Sequence, residues 1–492
     1  MKGDHIRRQP TLRFTREGLP TMMGHDGLDR LSRDELLELA RRQQVELAAR
    51  EAEIGRRDEK IRELEEELAQ FRRLPKTPEN SSVPPSRGQK ANRMVGRRRK
   101  LGPKRGHVGS SRVRGEPDVV VECRPRVCAG CGQDLPQSGG CRMGRSQVVE
   151  LPAFAPVVIE AWQYTMACTQ CGEQTAGTYP AGLEPRRTFG PGVEALLSYF
   201  HERHHVSYER LVEVCRDVFG LVISQGGVEN ALRRWVEQAR PMYAAIREQV
   251  RGSPVINSDE TSARVAGRNH WQWVFQTPEA SYHVIAPSRG GEVIDAFLAR
   301  AKPEVWGSDL WAPQILTAAG EHQICLSHQE RDLTFAVDAD TGEARLWAIE
   351  LRHVFGRAIR LHRERDQVTP TTFARRRLLI ENATDRLVFD RYTAPKTEAA
   401  RLQQRYRTHR DGLYVFLHRD DVEPTNNSSE RDLRPSVIHR KVIGGFRSDW
   451  GAEASAIRSS ILATARKQAR NLLDAFRTVA GPSPLQAIPA RS

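Results

Sequence analysis

Between Pro254 and Leu326 the chain changes period in a way that few folds accommodate. Three runs with strand character come first, at 254–258, 270–276 and 281–286. A helical pattern follows at 291–301, then a strand at 304–308, a helix at 312–319 and a strand at 322–326. Residues 327–425 read as mainly helical and Arg-rich; Glu430 opens, or lies near the start of, a further helix, and 452–480 form a last one. The first run is the most informative. Val255-Ile256-Asn257-Ser258-Asp259-Glu260-Thr261 is a β-branched stretch ending in two adjacent carboxylates. That places Asp259 where the strand leaves the sheet, a common position for a metal-binding acid. Glu260 is its rival, but successive side chains on a strand alternate, so it points to the opposite face.

Cutting or joining a phosphodiester needs an activated oxygen nucleophile and a stabilised leaving oxygen. Two divalent ions about 3.5–4 Å apart supply both. Magnesium (or manganese) takes hard oxygen ligands, so such a site draws carboxylates from separate elements. Asp309 ends the strand Val305-Trp306-Gly307-Ser308, and Glu430 follows Asn426-Asn427-Ser428-Ser429. Asp259, Asp309 and Glu430 are therefore the candidate catalytic and magnesium-binding residues, with Asp332 and Asp432 as rivals for the second and third. The element order is that of an RNase H-like domain with a helical insertion before its last catalytic helix. Cys325-x-x-His328 either ties a strand to this site or is a core cysteine beside a surface histidine. Trp271 and Trp273 alternate with Gln272 on a strand and read as core.

The chain has 492 residues, enough for about three domains. Its net charge of +14 favours a polyanionic partner, nucleic acid before an anionic membrane surface. A charged stretch from Met1 to Gly18 argues against a signal peptide, and no apolar run reaches membrane-spanning length. Eight cysteines are too few for a disulfide scaffold in so long a chain, which points to the cytosol.

Residues 1–27 lack periodicity and read as disordered. From Ser32 to Leu74 one helix is expected, opened by a Ser32/Glu35 capping box. Leu47, Ile54, Ile61 and Leu68 repeat every seven residues, while Leu64 and Phe71 fill the companion position that Arg50 and Arg57 hold earlier. The second half suits a coiled coil, giving a homodimer or higher oligomer; the alternative is a charged helix packed on its own body. A basic linker spans 75–117. Between Arg87 and Arg114 it holds eleven Lys or Arg and no acid, including Arg97, Arg98, Arg99, Lys100, Lys104 and Arg105. It is either a solvated spacer or one that also follows phosphates.

Residues 118–188 form the next unit, with strand character at Val119–Val121, Ser146–Leu151 and Val157–Met166. Cys128-Ala-Gly-Cys131-Gly132 and Cys168-Thr-Gln-Cys171-Gly172 share one local form. Four thiolates in two knuckles suit a closed structural zinc site, with a redox pair or an iron–sulfur site as competitors. Cys123 and Cys141 are alternative ligands or, as the favoured reading, spare thiols, and Cys215 reads as core. Residues 189–250 are helical, and the break at Phe219-Gly220-Leu221 before Ser224 resembles a helix-turn-helix. Its second helix carries Arg233 and Arg234, which either contact DNA or belong to a helical bundle.

The chain resembles the transposases of the insertion sequence 66 family, which belong to the Asp-Asp-Glu recombinases. The likeness rests on Asn80-Ser81-Ser82-Val83-Pro84-Pro85-Ser86, on Gly102 to Gly109, on the paired knuckles and on Asp259-Glu260-Thr261. It continues in Asn426-Asn427-x-x-Glu430-Arg431-x-Leu433-Arg434-Pro435. Around the second acid the chain departs from the family pattern, with Asp309-Leu310-Trp311-Ala312 and Cys325-Leu326-Ser327-His328.

The resemblance implies a bacterial DNA transposase, located with the nucleoid, that binds its element's ends and target DNA. Accessory proteins of the same element are possible partners. The expected architecture is multidomain α+β: coiled-coil helix (28–74), linker, zinc-knuckle β unit, helical DNA-binding domain, and catalytic domain (251–450). A C-terminal helix and tail (451–492) complete it. Arg431 and Arg434, one helical turn apart, would face phosphates. The rival functions are a non-catalytic DNA-binding regulator derived from a transposase, and an RNase H-like nuclease that never joins strands.

Overall fold

A computed structural model of the chain describes residues 32–72, 113–391 and 393–484. The stretch 1–27, the motifs at 80–86 and 102–109, and the linker cations Arg97, Arg98, Arg99, Lys100, Lys104 and Arg105 lie outside the described residues. So do the side chains of Leu68 and Phe71. The chain divides into two units, Met1–Pro75 and Lys76–Ser492.

Helix α1, Arg33–Arg72, is what the first unit shows. Its start is built as the sequence predicts. The Glu35 carboxylate accepts from Ser32 N at 2.8 Å, and Ser32 Oγ accepts from Glu35 N at 3.4 Å. Leu47, Ile54, Ile61 and Leu64 are all exposed.

In the second unit the region 118–180 has less ladder than expected. Strands β1 (Thr165–Ala167) and β2 (Gln174–Ala176) form an antiparallel pair, and an isolated bridge joins Val127 to Asp134. The runs at Val119–Val121 and Ser146–Leu151, and most of Val157–Met166, form no strand. Their β-branched composition is not enough, because β propensity needs a partner face, and these valines are exposed.

Three helices follow: α2 (Pro191–Arg203), α3 (Tyr208–Phe219) and α4 (Gln225–Arg251). The α3–α4 break is sharp for two reasons. Gly220 takes a left-handed φ of 61°, and Ser224 caps α4 by accepting from Gly227 N at 3.1 Å.

Five strands then form one mixed sheet: β3 (Val255–Val265), β4 (Arg268–Gln276), β5 (Ser281–Ala286), β6 (Val305–Ser308) and β7 (Glu321–Ile324). Helix α5 (Gly291–Leu298) leads into β6, and the short α6 (Ala312–Ile315) into β7. The sheet order is β5-β4-β3-β6-β7. β3 pairs antiparallel with β4 and parallel with β6, and β6 runs parallel to β7.

One expectation needs correction here. Asp259 does not end its strand, because the hairpin with β4 carries β3 on to Val265. What ends is the parallel pairing, whose last partners are Asn257 and Gly307. Asp259 thus sits where β3 parts from β6.

Beyond the sheet lie α7 (Leu326–Ala339), α8 (Gly342–Arg363), α9 (Pro370–Asp385), α10 (Glu398–Thr408) and α11 (Val415–His418), the expected helical insertion. Helix α12 (Asn427–Ile443) comes next. The single last helix expected at 452–480 is two, α13 (Asp449–Lys467) and α14 (Leu472–Ala480). Ala469 is left-handed at φ 52°, and Asn471 caps the second helix.

The sheet is buried on both faces. Ile256, Trp273, Phe275 and Trp306 share a core with residues of α4, α5, α13 and α14; Phe275 and Phe297 stack at 4.0 Å. Val255, Val305 and Ile324 join a second core with α7, α8, α10 and α11. Between α2 and α13 lies a buried ion pair. Glu202 accepts from Arg458 Nε at 3.1 Å and from the hydroxyls of Ser455 (2.9 Å) and Ser459 (2.8 Å). Burial opposes the Glu202 charge, but Arg458, then His439 and His201, hold its carboxyl below the ordinary range.

Removing one partner strands the other, so Glu202→Ala should cost about 3–5 kcal/mol in urea unfolding at neutral pH. A depressed carboxyl contributes fully above the ordinary Glu value of about 4.3 and loses that contribution as pH falls through its lower folded value. The gap between wild type and variant should therefore narrow in acid; a gap independent of pH would contradict the assignment.

Candidate active site

The site is built where β3 parts from β6, on the face that α7 and α12 cover. Residue parity sorts the two adjacent acids. Glu260 shares its face with Ser258, and both bond Gln314: Gln314 Nε2 donates to Glu260 Oε2 at 2.8 Å, and Ser258 Oγ to Gln314 Oε1 at 2.5 Å. The other Glu260 oxygen takes Arg289, with Nη2 at 2.6 Å. The Glu260 side chain is only 1% exposed and its oxygens are engaged. Arg289 in turn lies over the rings of Trp311 (3.9 Å) and Trp271 (4.7 Å). Trp273 is fully buried as expected, whereas Trp271 is half-buried in this cation stack.

Asp259, on the opposite face, accepts one hydrogen bond, from Glu260 N at 2.8 Å. Burial, then the Glu260 and Asp309 charges, push its carboxyl well above the ordinary carboxylate range, against the pull of His328. Asp309 follows β6 directly, and its Oδ1 accepts from Trp311 N at 3.0 Å. Glu430 stands in the first turn of α12. Its Oε1 takes Arg331 Nη2 at 2.9 Å and lies 3.5 Å from His328 Nε2.

Among the described residues, no three His, Cys, Asp or Glu side chains converge tightly enough to cage an ion. Asp259 and Asp309 press on one another, while Glu430 is held by Arg331 and His328. The raised Asp259 carboxyl marks burial first and then repulsion from Glu260 and Asp309; carboxylate oxygens are donors of the kind a hard divalent cation takes. The rivals are otherwise committed. Asp332 pairs with Arg405 at 2.5 Å, and Asp432 with Lys467 at 3.3 Å and the Ser281 hydroxyl.

Two residues that the sequence left open or unassigned organise the site. Asn426, 3% exposed, donates from Nδ2 to Ser258 O at 2.7 Å, next to Asp259, and its backbone N donates to Cys325 Sγ at 3.1 Å. Its Oδ1 accepts from Ser429 Oγ at 2.5 Å. Helix α12 is further held by Gln276 to Ser428 (2.6 Å) and Gln272 to Ser436 (2.8 Å). Cys325 is core and also fastens α12, whereas His328 is not the surface histidine of the second alternative but lies largely buried beside Glu430. Burial disfavours a charged His328, but the Cys325 sulfur, with Asp259, outweighs it and raises the imidazole pKa to about 9. The Asn-Asn-x-x-Glu block was the signal for Asn426; nothing local in the sequence marked Gln314, Arg289 or Arg331.

The other expected site residues are placed as follows. Arg431 and Arg434 are exposed on α12. Arg233 pairs with Glu229 at 2.7 Å and covers the Trp450 ring at 4.0 Å; Arg234 binds the buried Glu194 at 2.6 Å. The two cysteine knuckles are built alike. Gly132 N donates to Cys128 O and Gly172 N to Cys168 O, both glycines having φ 75°. Backbone hydrogen bonds within each turn lower the Cys128 and Cys168 thiols toward thiolate. Among the described residues the knuckles are not gathered into one four-sulfur cluster. Each offers half of a tetrahedral thiolate set, so the donors fit zinc in kind.

Asn426→Ala strands the Ser258 carbonyl and the Ser429 hydroxyl, a cost of about 1–3 kcal/mol. That loss should appear in urea unfolding at neutral pH, and wild-type stability in the variant would remove Asn426 from the account.

No curated protein gives a significant match to the chain. The family model described as Transposase IS66 family matches residues 186–454, more than half of the chain, from the helices before the sheet to the start of α13. That span contains the acids at 259, 309 and 430 and the Asn426 latch, and the chain belongs to the IS66 transposase family.

Proposed function

We propose that the chain is a DNA transposase of Asp-Asp-Glu type with an RNase H-like catalytic domain, in which Asp259, Asp309 and Glu430 act together. The observation that carries this is the Asn426 latch: it docks α12 beside Asp259, and α12 brings Glu430 to the face that Asp259 occupies. Asp309 comes from the neighbouring parallel strand. The three carboxylates would hold magnesium or manganese, which supplies the positive charge that activates an attacking oxygen and steadies the leaving one.

The chain's own groups do the rest. The Asp259 and Asp309 carboxylates define where the scissile phosphate lies. His328 and Arg331 keep the Glu430 carboxylate aimed at it. Glu260, bound to Arg289 and Gln314, keeps β3 rigid where it parts from β6. Arg431 and Arg434 give α12 an exposed cationic surface for backbone phosphates. Water breaks the phosphodiester at the element end and leaves a 3′ hydroxyl. That hydroxyl then attacks a target phosphodiester, and a target 3′ oxygen leaves.

The remaining parts belong to the same reading. The exposed Leu47, Ile54, Ile61 and Leu64 of α1 form a seam for a second copy, pairing two element ends. Cys128, Cys131, Cys168 and Cys171 bind one structural zinc, and the linker and helical domain contact DNA.

Wild-type protein with magnesium should nick a supercoiled plasmid carrying the element ends and join precut ends to target. Asp259→Ala should lower both by about a thousandfold or more without loss of end binding. End binding with no nicking by wild type would leave a DNA-binding regulator, and nicking without joining a nuclease.

A further inference from the structure

Helix α8 has one apolar and one cationic face. Ala344, Trp347, Ala348, Leu351, Val354, Phe355, Ala358 and Leu361 are buried at helical spacing and anchor it in the core. The face turned away carries Arg352, His353, Arg357 and Arg360. With Glu330 and Thr334 of α7 these line an open groove of about 610 Å³. Gly356 lies between the cations, and a Cβ there would meet open space, so the groove floor is clear.

Among the described residues, the groove's arginines form no ion pair: no carboxylate lies within ion-pair distance of Arg352, Arg357 or Arg360. Arg352 instead donates to the Thr334 hydroxyl at 3.3 Å. The lining acid is Glu330, half-buried, with burial raising its carboxyl against the pull of Arg352 and Arg363. Several other arginines of the insertion are paired within the molecule: Arg391 with Glu343 and Glu350, Arg405 with Asp332, Arg410 with Asp385. Helix α7 connects the groove to the candidate active site. His328 and Arg331 flank Glu430 at one end of α7, and Glu330, between them in sequence, lines the groove with Thr334.

We propose that the α7–α8 groove is a phosphate track for duplex DNA passing through the active site, with Arg352, Arg357 and Arg360 each taking one backbone phosphate. The proposal rests on the transposase reading for its ligand. The spacing suits it: eight residues of helix from Arg352 to Arg360 cover about 12 Å, room for about three phosphates of one strand at 3.4 Å of axis each. The contacts are to backbone and carry no sequence preference. This makes the helical insertion a DNA-holding element, beyond its part in the second core.

The test is duplex binding by the full-length protein, measured by anisotropy as salt rises. The probes are labelled duplexes, one carrying the element end and one of unrelated sequence. Replacing Arg352, Arg357 and Arg360 together by Ala should lower the salt slope by about 2–3, at about 0.9 per phosphate, and equally for both duplexes. Gly356→Glu leaves the arginines in place and adds a carboxylate to the clear floor. It should weaken binding at least about tenfold at low salt, while Gly356→Gln should not.

An unchanged slope in the triple variant, or equal binding by the two Gly356 variants, overturns the proposal while the transposase reading stands. So does loss of polyglutamate binding in the triple variant with duplex binding unaffected, which would assign the groove to an acidic protein segment. Failure of the wild type to bind any duplex overturns both.

Discussion

One side-chain amide holds the candidate site together. Asn426 reaches from the start of α12 to the carbonyl of Ser258, and its backbone fastens to Cys325. Without that bridge, β3 and α12 are distant in sequence with few apolar contacts to join them; Leu433 is the main buried apolar side chain that α12 offers. The sheet face beneath α12 is polar to match. Gln272 and Gln276, both buried, bond serines of the helix. A buried amide left without partners is costly, so these bonds specify position as well as adding stability. The position they specify is that of Glu430.

The same economy separates the proposed catalytic carboxylates from those that support the fold. Glu260, Asp332 and Asp432 each have a cation and are spent inside the fold. Asp259 pairs with no arginine or lysine among the described residues and, against the pull of His328, suffers burial and the charges of Glu260 and Asp309. A fold keeps an arrangement of that kind at a cost in stability. It is most readily understood as a place prepared for positive charge from outside.

Much of this was legible in the chain, and the parts that were not share a cause. Strand order followed from local period, because each strand carries its own alternation and each crossover its own helix. The opposite facing of Asp259 and Glu260 followed from parity on one strand. What period does not encode is partnership across long separations. The extension of β3 to Val265 depends on β4, and the missing strands at Val119–Val121 and Ser146–Leu151 depend on neighbours that never arrive. Arg289 and Gln314 meet Glu260 only after folding. Arg234, set apart in sequence as a possible DNA contact, is held by Glu194, forty residues earlier in the chain. Asn426 was visible as part of a motif, but its reach to Ser258 was not.

The central claim is that Asp259, Asp309 and Glu430 form one cation site from which Glu260 is excluded. Manganese binding to the purified protein, followed by electron paramagnetic resonance, tests it directly. The account predicts that Asp259→Asn, Asp309→Asn and Glu430→Gln each weaken the bound-manganese signal at least about tenfold in affinity. Glu260→Gln should bind as wild type does. Tight binding that survives Glu430→Gln but is lost in Glu260→Gln would place the cation on the other face of β3 and contradict the account.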